Sequence, residues 1–184
     1  ILAVLLLTTP VRAVTVLTAP KTDWAERQAK AEKVIRERRV GRYGMVPVYG
    51  RDIADGTYPV KVESTSVFFK IVEAELSVHG DEMTADITIG SRSYLYVFMG
   101  TAAQAENAPQ GDWIPGDGGE RFTVFTIPIP ALNAPFECAA YSKNRQLWYD
   151  RQLLIDASAL PEDALAFALP DYALVEKAVT DFEP

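Results

Sequence analysis

The stretch KIVEAELSVHGDEMTADITIG, Lys70 to Gly90, decides the fold. Ala74, Leu76 and Val78 alternate with Glu73, Glu75 and Ser77. After a break, Met83, Ala85, Ile87 and Ile89 alternate with Thr84, Asp86 and Thr88. A period of two marks strands with one dry face and one wet face. His79-Gly80-Asp81-Glu82 between the runs predicts a hairpin tip, with Gly80 free to take positive φ.

The same pattern recurs on both sides. TYPVKVES, Thr57 to Ser64, predicts a first strand. SYLYVFMG, Ser93 to Gly100, predicts another, with Tyr94, Tyr96 and Phe98 on one face and Leu95, Val97 and Met99 on the other. Core packing accounts for both rows; an exposed row would form a sticky strip able to stack on sugars. Thr101 caps a short helix over TAAQAENA, with Pro109 just past its end. Asp112 to Glu120 is an irregular loop around Trp113. RFTVFTIPI, APFECAAYS and LWYDRQLLID complete about seven strands. Short turns and a single small helix predict an all-β fold, an immunoglobulin-like antiparallel β-sandwich over residues 55–157.

The flanks differ in character. ILAVLLLTTPVRA, residues 1–13, reads as a truncated signal peptide, which implies a secreted or envelope-associated chain. Pro10 and Arg12 interrupt the run too soon for a good membrane span. Residues 14–54 read as a basic helix and linker. Between Lys21 and Arg42 there are eight basic residues against four acidic ones. Either the 21–42 segment lies on an anionic surface or it is a solvated spacer. Residues 158–184 form a tail with two helix-like pieces, PEDALAFAL and DYALVEKAV.

Composition narrows the function. A net charge of -7 over 184 residues argues against general nucleic-acid binding. One cysteine, Cys138, and one histidine, His79, exclude an intrachain disulfide and Cys/His zinc sites. Histidine-assisted nucleophilic catalysis would have to use His79, on a hairpin tip. No phosphate-binding glycine loop, nucleophile elbow or zinc-protease motif occurs. The expectation is a binding domain, not an enzyme.

The candidate site lies in AAYSKNRQLWYDRQLLID, Ala139 to Asp156. It predicts two strands joined through a polar tip at Lys143, Asn144 and Arg145, with Tyr141 opposite Trp148 and Tyr149 opposite Ala140. A phenolate is a hard ligand suited to ferric iron. Arg145, Arg151 and Lys143 can pair with carboxylates. Two readings stay open: these side chains grip a flat anionic ligand, or they are the last layer of a core beside a solvated tip.

Asp55 to Asp156 resembles the near-iron-transporter (NEAT) domains, immunoglobulin-like modules of bacterial surface proteins that bind haem. DGTYPVKV, STSVFFKIVEAELSVHGDEMTADITI and the late aromatic hairpin ending in an Arg-containing strand carry the resemblance. The chain also resembles a family of secreted bacterial proteins of unknown role that shares an FFKIV / YMGTA / AAYSK-WYDR pattern, met here by FFKIV, MGTA and AAYSK with WYDR. The NEAT resemblance implies a haem cofactor ligated by Tyr141 or Tyr149, with Trp148, Arg145 and Arg151 nearby. It further implies a lip formed by Ser64, Ser66, Phe68 and Phe69. The family's second tyrosine, four residues on, has no counterpart, because Tyr141 and Tyr149 are eight apart. The competing expectation is an envelope glycan- or protein-binding domain that uses the same aromatics without metal.

Overall fold

The computed structural model describes residues 40–119 and 121–182. The signal segment and residues 14–39 of the expected basic helix and linker lie outside the described residues.

Among the described residues, ten strands form two five-stranded antiparallel sheets. In chain order they are β1 (Gly56–Pro59), β2 (Lys61–Ser64), β3 (Ile71–His79), β4 (Glu82–Ile89) and β5 (Tyr94–Phe98). They continue with β6 (Ile114–Pro115), β7 (Asp117–Gly118), β8 (Thr123–Pro128), β9 (Phe136–Ser142) and β10 (Leu147–Asp156). One sheet runs β1-β3-β4-β8-β7 and the other β2-β10-β9-β5-β6. Among the described residues the α-helices are α1 (Ala102–Asn107) and α2 (Tyr172–Phe182).

Burial explains the layering. Ala74, Leu76, Val78, Met83, Ala85, Ile87 and Ile89 are all buried, and their polar neighbours on β3 and β4 face out. They meet Phe125, Ile127, Cys138, Ala140, Leu153 and Ile155 in one core between the sheets. Each fully buried aliphatic side chain contributes about 1.5–3 kcal/mol, so this layer dominates the stability. Gly80, at φ 58, makes the β3–β4 tip.

Several expectations need correction. The run from Thr57 to Ser64 is not one strand: it changes sheets at Val60, β1 pairing with β3 and β2 with β10. On β5 a register shift between Tyr94 and Tyr96 breaks the alternation. Tyr94 and Val97 therefore enter the core, while Tyr96 and Phe98 take the outer face. The loop around Trp113 contains β6 and β7. PEDALAFAL holds a single 3-10 turn, Glu162–Ala164, after which Leu165 bridges to Ile53.

Residues 40–54 and the tail close on the sandwich. Val48 and Ile53 are buried in the core. Arg42 pairs with Asp156 and lies over the Tyr172 ring, 5.5 Å from its centroid. The Tyr172 hydroxyl accepts from the Asn133 side chain at 3.0 Å, and Asn133 accepts in turn from Ala157 N–H at 2.8 Å.

Candidate functional site

Strand directions gather four segments at one end of the sandwich: the connections 65–70, 90–93 and 143–146, and the lead into β8 at residues 121–122. Ile71 pairs with Ile89, and Ile89 with Thr123, which brings three of them level. Lys143 N–H donates to Ser93 carbonyl at 2.8 Å, joining the fourth. The tip is tight: Gln146 N–H reaches Ser142 carbonyl at 2.7 Å, with Gln146 at φ 53.

The register of the last hairpin is as expected, with Trp148 opposite Tyr141 and Tyr149 opposite Ala140. Alternation therefore separates the two tyrosines. Tyr141 lies on the outer face, in a cluster with Tyr96, Phe98, Trp113 and Trp148 beneath α1. Its ring is 5.3 Å from Trp148 and 6.4 Å from Trp113, centroid to centroid. Thr101 and Gln104 form a reciprocal cap on α1, and Trp113 Nε1–H donates to Ala105 carbonyl at 3.1 Å. Burial holds the Tyr141 phenol above its usual pKa, with Glu106 and Tyr96 pushing the same way. This is a poor setting for a phenolate.

Tyr149 lies on the inward face of β10 with Arg151, Leu153 and Ile155. The Arg151 guanidinium is 5.3 Å from the Tyr149 ring centroid. Arg151 is only 8 % exposed. It donates to Asp150 carbonyl at 2.6 Å, but its Nε has no partner and it makes no ion pair among the described residues. Its charge is felt at Cys138, the residue paired with it on β9: burial pushes that thiol up to about 12, and Arg151 opposes the shift. A buried cation without an anion is an uncommon arrangement.

The lip is built differently from expectation. Thr65 extends the pairing of β2, exchanging hydrogen bonds with Gln152 at 3.1 and 3.0 Å. The Ser64 hydroxyl accepts from Ser66 N–H, and the Ser66 hydroxyl from Phe68 and Phe69 N–H, so both serines are used within the turn. Phe69 is not a lip residue: it is fully buried, edge-on to Tyr94 at 5.0 Å. Phe68 and Val67 point outward, 79 % and 66 % exposed. Arg145 is exposed on the tip with Lys143.

The structure thus brings Tyr149, Arg151 and the 65–69 turn to the loop end and puts Tyr141 and Trp148 on another face. The role of Trp113 was missed. Its one clue was the alanine face of the Thr101-capped helix, which needs an apolar surface to cover. A separate cleft of about 310 Å³ lies between residues 40–45 and Gln152 and Leu154 on the outer face. No group of three or more potential metal-ligating side chains occurs among the described residues, and no helix among them is long and apolar enough to cross a membrane.

These features define a two-layer antiparallel β-sandwich with a basic, partly apolar loop end. Solved structures similar to it include NEAT domains. One is the NEAT5 domain of IsdX2, a hemophore of B. anthracis, in complex with heme: 13% identity, TM-score 0.44, covering 58% of this chain and 100% of that one. Another is a mutant of that domain with heme: 13% identity, TM-score 0.45, covering 59% and 100%. The likeness concerns strand layout alone. No family model and no curated protein matches the chain.

Proposed function

We propose that this chain is a non-enzymatic binding module of the cell envelope that takes haem at the loop end, between the 65–69 turn and the β9–β10 hairpin. The observation that carries the reading is Arg151, buried on the inward face, with no counter-ion among the described residues, and lying over Tyr149. A carboxylate of the ligand would supply the missing anion, and charge-assisted pairs of this kind are the strong ones. Val67 and Phe68 offer an apolar edge for the macrocycle, while Lys143 and Arg145 stand where a second carboxylate would meet cations. For iron ligation our reading favours Tyr149 over Tyr141, since burial holds the Tyr141 phenol protonated and Tyr149 stands beside a cation. Export rests on the apolar run at residues 1–13.

Hemin titration of the full chain, followed by visible absorbance, tests this. A Soret shift is expected, retained in Tyr141→Phe and altered in Tyr149→Phe. The absence of any spectral change in the wild-type chain would remove the reading.

A second reading uses the outer face. Tyr96, Trp113 and Tyr141 are half-exposed side by side, a surface on which a sugar ring can stack. Retention on a polysaccharide column, lost in Trp113→Ala with hemin binding intact, would favour it.

A further inference from the structure

We propose that the same loop end is a docking face for an anionic lipid bilayer, whether or not haem is the ligand. The four segments there carry Lys70, Arg92, Arg121, Lys143 and Arg145, all exposed and none in an ion pair among the described residues. The protein as a whole carries a net charge of -7, so this end is charged against the rest. Asp55, Asp81, Glu82 and Asp163 lie at the opposite end, where Asp55 accepts from Gly80 N–H at 2.8 Å and Ile53 bridges to Leu165. Acids also border the basic end: Glu73 on β3, Asp117 on β7, Asp150 on β10 and Glu106 on α1, whose charge is felt at Tyr141; Glu120 is outside the described residues.

Among these cations stand exposed apolar side chains: Val67, Phe68 and, at 48 %, Phe122. Phe69, sealed in the core, and the Ser64 and Ser66 hydroxyls fix the turn that presents Val67 and Phe68. These two side chains are therefore held outward in the free protein, and little ordering cost remains on binding. Basic residues spread over four separate loops, with apolar tips between them, suit a fluid surface of diffuse negative charge. Such a surface takes up apolar tips and attracts each cation without requiring a shaped groove.

The test is flotation of the full haem-free chain with vesicles of phosphatidylcholine, with and without phosphatidylglycerol. Binding is expected only with phosphatidylglycerol, and raised salt should release it. Lys143→Gln and Arg145→Gln should each weaken it roughly fivefold, and Phe68→Ser should weaken it at every salt concentration. Far-ultraviolet circular dichroism checks that these surface variants keep the fold. No lipid-dependent flotation would overturn the proposal, as would capture by an acidic polypeptide in place of vesicles. Undiminished flotation of a chain carrying Lys143→Gln, Arg145→Gln and Phe68→Ser together would assign binding to the 21–42 segment and overturn it equally.

Discussion

The guanidinium of Arg151 lies over the ring of Tyr149, 5.3 Å from its centroid, on the one face of β10 that also builds the core. A cation and a phenol are thereby fixed together at the edge of an apolar layer. The hydrogen bond that Arg151 makes goes to a main-chain carbonyl, not to an acid.

Arg151 is thus expected to serve binding more than folding. Replacing a buried charge with an apolar side chain of similar length is often neutral or stabilising. Arg151→Met should hold or raise the denaturation midpoint, within about 1–2 kcal/mol, while hemin affinity falls at least tenfold. A large loss of stability together with unchanged hemin binding would make Arg151 structural.

Alkaline pH should destabilise the fold through two groups. The Cys138 thiol rises from 9.0 to about 12 on burial, and the Tyr141 phenol rises from 10.0. Between the unfolded and folded pKa values the native state holds more protons than the unfolded chain, so stability falls as pH rises. Well below pH 9.0 neither group tilts the curve. Cys138→Ala should flatten the fall above that point, measured by urea denaturation across pH. The native thiol should also resist alkylation until the protein unfolds.

The outer aromatic cluster should behave as a small second core. Trp148, 5 % exposed beneath α1, touches Trp113, Phe98 and Tyr141. Trp148→Ala should cost about 3–5 kcal/mol. Trp113→Ala, at a half-exposed position, should cost less and free α1. Equilibrium unfolding and amide exchange across Ala102–Asn107 read both effects.

Gly44 should control docking of α2. It sits at φ 73, and a β-carbon there would come within 2.7 Å of the Val175 side chain. Gly44→Ala is expected to cost at least about 1 kcal/mol from backbone strain alone. Tryptic cleavage at Lys177 should speed up while the sandwich stays intact. Unchanged cleavage would mean that the tail does not depend on this contact.

What could be read from sequence was what neighbouring residues decide. The hairpin from Ile71 to Ile89 and the pairing of Tyr149 with Ala140 follow from local alternation and a short tip. The switch at Val60 does not, because Thr57 to Ser64 alternates without a break. Val60 N–H goes to Ala74 carbonyl, whereas Lys61 pairs with Asp156, so distant partners set the crossing. On β5, a bulge reassigned Tyr94 and Tyr96 to opposite faces, which no spacing rule foretold. In the tail, Leu165 was drawn into a bridge with Ile53, overriding the helical propensity of the segment. At the site, the tyrosines and arginines were legible as residue types. That Arg151 finds no acid among the described residues was not, since it depends on every neighbour that the fold brings or withholds.

The crossing at Val60 has one more result. Because the run divides, it borders both layers, and the four outermost strands are short: β1 and β2 of four residues each, β6 and β7 of two. A second polypeptide seeking unpaired amides along either margin would find too few in a row to zip onto. The architecture therefore resists self-templated ribbon growth along these margins.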